Sequence, residues 1–78
     1  MFYTYVLKST KDNKLYIGFS SNLKKRLEEH NKGLVRATST RFPFKLVYYE
    51  ACCDKEKAVA REKTLKTGFG RSYLKKRI

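Results

Sequence analysis

Glu62 is the residue whose position in this sequence is least explained by packing alone. Helical spacing places Ala58 one turn before Glu62 and Leu65 almost one turn after it, so the carboxylate projects from an apolar stripe. A core-facing carboxylate costs several kcal/mol unless it is paired or bound to a metal ion. Spacing therefore leaves two interpretations open: an ion pair with one of the many basic residues, or a metal-binding or catalytic role.

Arg26 and His30 form a second candidate pair on a different helix. They are four residues apart, so they share a helix face and are separated by about 6 Å along its axis. Arginine offers a planar fork of donors to phosphate oxygens, and histidine can hydrogen-bond or move a proton near neutral pH. The pair could therefore meet one phosphate, and the alternative is a solvated helix face that carries a lone surface histidine.

Three tyrosines near the N-terminus are the third group that could do chemistry. Tyr3 and Tyr5 alternate along one strand and point to the same face, and Tyr16 lies on the neighbouring strand. A phenol surrounded by cations can have a lowered pKa, which would make it useful as a base. The alternative is that these side chains only fill the sheet and the core.

Six elements have to position these side chains, in the order β-β-α-β-α-α. Periodicity, N-cap residues and turn residues predict strands at 2–9, 15–19 and 44–51, and helices at 23–32, 54–65 and 71–77. The first two strands must be antiparallel because their link around Asp12 and Asn13 is short, whereas the third can join either edge. We expect one small α+β domain over residues 1–78, with an antiparallel or mixed three-stranded sheet packed by helices.

The charge of the chain favours a polyanionic partner. Its 78 residues carry 19 Lys and Arg against 7 Asp and Glu, which gives a formal net charge of +12. Such a basic domain attracts nucleic acid first, and a solubilising charge or a ribosome-bound or membrane-surface protein is the alternative. The polar loop 33–42 is also basic, and we expect it to be flexible enough to follow a phosphate backbone.

The sequence gives no sign of membrane insertion or of secretion. No apolar run approaches the roughly 18 residues of a membrane span, and the N-terminus lacks the pattern of a signal peptide. Cys52 and Cys53 are adjacent, which strains a mutual disulfide, and two ligands cannot close a structural zinc site. We therefore expect a cytoplasmic protein with reduced cysteines.

The order and spacing of four segments resemble the GIY-YIG nuclease family. They are YTYVL at 3–7, LYIG at 15–18, NLKKRLEEH at 22–30 and AVAREKTLK at 58–66, and the likeness covers nearly the whole chain. The sequence looks closest to the small single-domain bacterial members, the UPF0213-like group. In this resemblance Gly18 matches the glycine that lets the chain turn tightly towards the first helix.

The resemblance also implies a role for each candidate residue. Tyr5 and Tyr16 match the tyrosines of the first and second motifs, and Arg26 matches the catalytic arginine. His30 matches a histidine found near the active site in several members, and Glu62 matches the metal-binding glutamate. The implied mechanism is phosphodiester hydrolysis with one Mg²⁺ or Mn²⁺ held by Glu62 and by substrate oxygens. Arg26 would neutralise charge on the phosphate, and Tyr5 would activate or position water with His30 or Tyr16 as helper.

The function implied by the resemblance is that of an endonuclease acting on nucleic acid, on DNA in preference to RNA. We expect little sequence preference, because no recognition domain is attached, and we expect a monomer without membrane contact. Two alternatives stay open: a nucleic-acid-binding module with little turnover, and an interaction module of a larger repair complex. Removing the charge of Glu62 separates nuclease from binder, since the nuclease needs the carboxylate and a pure binder would bind more tightly without it.

Overall fold

The chain folds around a three-stranded antiparallel sheet that carries helices on both faces. The computed structural model describes all 78 residues. The strands are β1 (Phe2–Ser9), β2 (Leu15–Ser20) and β3 (Phe44–Cys52), and the helices are α1 (Leu23–Asn31), α2 (Lys55–Leu65) and α3 (Gly68–Lys75), with a short 3-10 helix at Arg36–Thr38. The predicted α+β class and the β-β-α-β-α-α order are confirmed.

β1 is the central strand of the sheet, and both of its neighbours are antiparallel to it in the order β2-β1-β3. The hairpin between β1 and β2 turns at Asn13, whose φ of 60° is tolerated by asparagine better than by most side chains. The third strand, whose position the sequence left open, pairs with the free edge of β1. Its register shifts between Val6 and Leu7, where a β-bulge bends the pair.

Two small cores cover the two faces of the sheet. On one face Tyr5, Leu7 and Phe44 are buried beneath α1, which contributes Leu23 and Leu27. On the other face Val6 packs against Leu65 of α2 and Leu74 of α3. Because successive side chains of β1 point to opposite faces, this one strand supplies both cores and holds α1 apart from α2 and α3.

Each helix begins at a side chain that caps its first turn. Asn22 accepts a hydrogen bond from the Lys25 backbone at 3.1 Å, and Asp54 accepts one from the Lys57 backbone at 3.2 Å. The prediction for the last helix is wrong by three residues: α3 begins at Gly68, where Thr67 is the N-cap, and not at residue 71. Two glycines lower the helix propensity of this turn, and packing on α2 overrides that preference.

The loop 33–42, for which we expect flexibility, is hydrogen-bonded to the hairpin. Arg41 donates to the Asp12 carboxylate at 2.8 Å, and the Ser9 hydroxyl donates to the Arg41 carbonyl at 2.6 Å. Thr38, in the 3-10 helix of this loop, is fully buried. The loop therefore packs against the rest of the fold, next to α1.

Few features of the structure relate to the cellular location of the protein. None of the helices combines the length and the apolar character needed to cross a bilayer. Cys52 and Cys53, at the end of β3, are both free thiols.

Candidate active site

The pairing of β1 with β2 places Tyr5 directly opposite Gly18, and Leu7 opposite Tyr16. A Cβ on residue 18 would overlap the phenol of Tyr5, whose ring lies across β2 at this point. The expectation that Gly18 serves a tight turn is wrong, since the residue lies inside β2. Its missing side chain instead makes the space in which the Tyr5 hydroxyl sits.

The Tyr5 hydroxyl meets His30 of α1 in the interior. The distance from Tyr5 Oη to His30 Nε2 is 2.9 Å, and His30 Nδ1 lies 2.7 Å from the Thr38 hydroxyl. We assign the ring proton of His30 to Nδ1, because Thr38 can direct its own proton to the Val35 carbonyl at 3.4 Å and accept from Nδ1–H. Nε2 is therefore unprotonated and accepts from the Tyr5 hydroxyl, which gives a directed chain from Tyr5 through His30 to Thr38.

Burial determines the protonation state of both Tyr5 and His30. Burial, aided by the nearby Arg26 charge, lowers the pKa of His30 to about 4. Burial also raises the pKa of Tyr5, although Arg26 acts in the opposite direction. At neutral pH the imidazole is thus neutral and the phenol is protonated. The lowered pKa that cations can give a phenol is not found at Tyr5, because loss of hydration outweighs them.

Arg26 lies at the outer end of the series of side chains that runs from Tyr5 through His30 to Thr38. Its guanidinium approaches the Tyr5 hydroxyl closely enough to raise the pKa of Arg26, and it contacts the Glu29 carboxylate at 3.4 Å. The Arg26 side chain is 37% exposed, whereas His30 is 0% exposed. The idea that both residues meet one phosphate is therefore wrong for His30, and so is the alternative of a surface histidine. Only Arg26 can reach a phosphate, and it reaches Tyr5 as well.

Tyr16 and Phe44 complete the surroundings of the imidazole. The ring centroid of His30 lies 5.0 Å from that of Tyr16 and 5.7 Å from that of Phe44, both edge to face. Tyr16 is half-buried and packs against the cluster of Tyr5 and Leu7. Tyr3 lies further along β1 with its ring against Tyr49, so it takes no part in this site.

Glu62 belongs to α2, on the opposite face of the sheet from α1. Its side chain is 21% exposed and forms an ion pair with Lys66 at 2.8 Å. Burial is the main cause of the raised pKa of Tyr5, and the negative charge of Glu62 makes a smaller contribution in the same direction. Glu62 shares no hydrogen bond with Tyr5, Tyr16 or Arg26.

A metal ion at Glu62 would find a carboxylate that belongs to no cluster of three or more His, Cys, Asp or Glu side chains, since the structure contains no such cluster. This donor set suits Mg²⁺ or Mn²⁺, because hard cations take carboxylate oxygen and fill the remaining positions with water and substrate oxygens. It does not suit a structural metal, which requires a closed ligand set.

Thr38 and Phe44 are the residues of this site that the sequence did not reveal. Thr38 lies in a polar loop and Phe44 begins a strand, and neither matches a motif or a helical period. Asn31 helps to bring Phe44 into place, because its side-chain amide accepts from the Phe44 backbone N–H at 2.6 Å and donates to the Phe44 carbonyl at 3.2 Å. No local signal could have shown these contacts, since each depends on how the loop returns to α1.

Comparison with known proteins places the chain among small nuclease-like domains. The model of the GIY-YIG catalytic domain matches residues 1–77. A UPF0213 protein of Staphylococcus haemolyticus is 42% identical over 74 residues, which cover 94% of this chain and 89% of that protein. A UPF0213 protein of Clostridium perfringens is 45% identical over 67 residues, which cover 85% of this chain and 71% of that one.

A solved structure shows the same fold. The solution NMR structure of a UPF0213 protein from Bacillus halodurans superposes with a TM-score of 0.57 and 29% sequence identity. The superposition covers 95% of this chain and 82% of the other.

Proposed function

This chain belongs to the GIY-YIG family, and from that membership we propose that it is a divalent-metal-dependent endonuclease that hydrolyses DNA phosphodiester bonds with little sequence preference. One observation carries the proposal: the buried His30 lies 2.9 Å from the Tyr5 hydroxyl, and the charge of the partly exposed Arg26 acts on the pKa of both groups. The arrangement connects a proton acceptor in the interior with a phosphate-binding cation at the surface. The net charge of +12 supports a nucleic-acid substrate.

Arg26 binds the phosphate in this mechanism. Its fork of donors now faces Tyr5 and Glu29, and a phosphate oxygen would replace the long contact to Glu29. As negative charge grows on the phosphate during attack, each such donor stabilises the transition state by about 3 kcal/mol. Tyr5 is only 1% exposed, so movement of Arg26 onto the phosphate would also open the way to the hydroxyl.

Tyr5 and His30 move the proton. As water attacks phosphorus, the Tyr5 hydroxyl accepts a proton from the water and passes its own to Nε2 of His30. The 3′ oxygen leaves with the electron pair of the broken P–O bond and takes up a proton from solvent. Thr38 holds the Nδ1–H, so the imidazole stays in the tautomer that can accept. A phenol with a raised pKa is suited to this exchange, since it need never be released as a free phenolate.

Glu62 is the residue that would hold Mg²⁺ or Mn²⁺, and a bound metal ion would supply Lewis-acid stabilisation of the leaving oxygen. Lys66, which now pairs with Glu62, has to give up this contact for the carboxylate to bind the ion. Glu62 belongs to no cluster of three protein ligands, so we infer weak metal affinity until substrate oxygens complete the ligand set.

A second candidate function is nucleic-acid binding with little turnover. It is favoured by the resting arrangement, in which Glu62 is paired with Lys66 and the Tyr5 hydroxyl is shielded. In this form the chain would act as a basic platform, alone or within a repair complex. Under either function we propose that residues 1–78 act as one domain, as a monomer and in the cytoplasm.

Substitution of Tyr5 by Phe tests the proposal, because it keeps the ring beside Gly18 and removes only the hydroxyl. We expect metal-dependent cleavage of labelled DNA to fall roughly 100-fold or more, the usual contribution of a positioned proton-transfer group. Tyr3→Phe is the matched control: it removes a hydroxyl from the same face of β1, and its cleavage should equal that of the wild type. Wild-type cleavage by a folded Tyr5→Phe protein would overturn the assignment.

A further inference from the structure

A groove runs along the outer side of the β1–β2 hairpin to the last helix. It consists of two adjoining depressions of about 510 and 630 Å³, which share Asn13, Leu15 and Arg71. One depression reaches Ile78 at the C-terminus, and the other reaches Tyr16 of the candidate site. We call this continuous surface the α3 groove.

The walls of the α3 groove carry cations without acidic partners. Lys8, Arg71 and Lys75 line it, all three are exposed, and none takes part in any of the four ion pairs of the structure. Arg71 and Lys75 are one turn apart on α3, so they present their charges along the same wall. Arg77, which lines the same depression, is held against the ring of Tyr73 at 3.5 Å. Concentrated positive charge of this kind attracts a polyanion.

The floor of the α3 groove is apolar. Leu15, Val47 and Ile78 form it beside the cations, and Leu15 and Ile78 are 38% and 44% exposed. A duplex keeps its base faces stacked inside, so it offers mainly phosphates and the edges of its bases to a protein surface. An unpaired strand offers phosphates and free base faces together, and this combination matches cationic walls over an apolar floor.

The inner end of the groove joins it to the proposed chemistry. Tyr16 and Lys66 line that end, and Lys66 is the ion-pair partner of Glu62. A strand lying in the groove would therefore run towards the carboxylate that is proposed to bind metal.

We propose that the α3 groove binds unpaired nucleotides of a polynucleotide strand and leads that strand to the site of cleavage. The cleavage step rests on the function proposed above, whereas the binding step does not require catalysis. The chemistry named is that of a single strand, which DNA and RNA share.

The test is the affinity of labelled 12-nucleotide strands, measured by fluorescence anisotropy in EDTA so that no cleavage occurs. The probes are an oligo-dT, its duplex with oligo-dA, an oligo-rU and an abasic strand that retains only sugars and phosphates. We expect the wild type to bind oligo-dT or oligo-rU at least fivefold more tightly than either the duplex or the abasic strand. An oligo-dU strand, which differs from oligo-rU only in the sugar, identifies the sugar that is preferred.

The double variant Arg71→Ala/Lys75→Ala removes two wall cations, and alanine preserves the helix. We expect its affinity for the single strand to fall about tenfold and the slope of log K against log salt to become shallower by roughly 1.4, the effect of two lost phosphate contacts. Lys55→Ala/Lys57→Ala is the matched control, since it removes the same charge at the N-terminal end of α2, and Lys55 is about 15 Å along that helix from Leu65, which lines the groove. The control should keep the wild-type slope.

Any of three results would contradict the proposed role of the α3 groove. They are equal affinity for duplex and single strand, an equal loss of single-strand affinity in both double variants, and no loss of affinity in the groove variant. Cleavage with Mg²⁺ is then measured separately, on the wild type and on the groove variant. A wild-type protein that binds as expected but never cuts supports the role of the groove in binding and contradicts the proposed nuclease function. A groove variant that binds and cuts like the wild type contradicts the proposed role of the groove but leaves the nuclease function in place.

Discussion

At the scale of single residues, the burial of His30 links the protonation of one side chain to the stability of the whole fold. Both ring nitrogens have partners, and no space remains for the water that a charged imidazole needs. In the resting protein, protonation of Nε2 would also require the Tyr5 hydroxyl to turn its own proton away from the imidazole. The neutral form is therefore the one that the structure stabilises.

This environment predicts a loss of stability in mild acid. The pKa of His30 falls from its ordinary value of 6.5 to about 4 on folding, so between these values the unfolded chain binds the proton and the folded chain does not. Stability from this group is complete above pH 6.5 and is lost as the pH falls towards 4. We expect the free energy of unfolding, from urea titrations, to be about 2 kcal/mol lower at pH 5 than at pH 7.

The control for this measurement is His30→Gln, which removes the titrating group and keeps a polar side chain of similar reach. Its stability at pH 7 should be lower than that of the wild type, but it should change little between pH 7 and pH 5. A wild-type protein whose unfolding free energy is flat over the same range would contradict the burial of a neutral His30.

Sequence spacing found most residues of the site but not their environments. Tyr5, Arg26 and His30 could be chosen because motif order and helical period place them near one another. Whether His30 is buried depends on Thr38 and Phe44, which reach it only after the loop has folded back. For the same reason the direction of the Tyr5 pKa shift could not be deduced, since burial and nearby cations act against each other.

At the scale of elements, α3 is held to the rest of the fold by a network of polar and aromatic groups. Arg61 of α2 donates twice to Glu50 of β3, at 2.8 and 3.0 Å. Tyr48 donates to the same carboxylate, and its oxygen lies 3.1 Å from that of Tyr73 on α3. Burial alone would raise the pKa of Glu50, but the bonds from Arg61 and Tyr48 bring it below its usual value. The network positions the basic wall of the α3 groove.

The junction of α2 and α3 predicts unequal effects for two glycines only two residues apart. A Cβ on Gly70 would overlap the backbone of Leu65, whereas a Cβ on Gly68 meets nothing within 4 Å. We expect Gly70→Ala to destabilise the fold by about 1–3 kcal/mol, because α3 has to move away from α2. Gly68→Ala should be neutral or stabilising by up to about 1 kcal/mol, because alanine favours the helix.

Thermal or urea unfolding of the two variants measures this difference directly. Equal stability of the two alanine variants would show that α3 does not pack on α2 as closely as described. The same contact explains why the sequence placed the start of α3 too late: glycine signals a break locally, and its use for close packing becomes visible only in three dimensions.

At the scale of the whole molecule, acidic residues neutralise little of the positive field. Four of the seven acidic side chains, Asp12, Glu29, Glu50 and Glu62, are already paired with Lys or Arg. Most of the 19 basic side chains therefore stay free to act on a polyanion. Composition alone predicted this attraction, but it could not predict that free cations would line a groove that adjoins Tyr16, which required the packing of α3.

The sheet determines how the basic groove lies relative to the candidate site. β1 separates the Tyr5 and His30 side from the side of α2 and α3, and β2 forms the edge at which Tyr16 takes part in both the site and the groove. Strand order beyond the first hairpin could not be deduced, since either edge was open to β3. Because β3 pairs with β1, the outer edge of β2 has no strand partner in the sheet.

The most direct test of the central claim compares the wild type with Glu62→Gln on labelled single-stranded, duplex, branched and RNA substrates, with Mg²⁺ or Mn²⁺ and with EDTA. Glutamine keeps the shape of the side chain, and circular dichroism checks the fold. We predict that the wild type cuts at least one DNA substrate only when metal is present, and that Glu62→Gln binds as tightly or more tightly but does not cut. Equal cleavage by Glu62→Gln, or a folded wild type that binds every substrate and cuts none, would contradict the account.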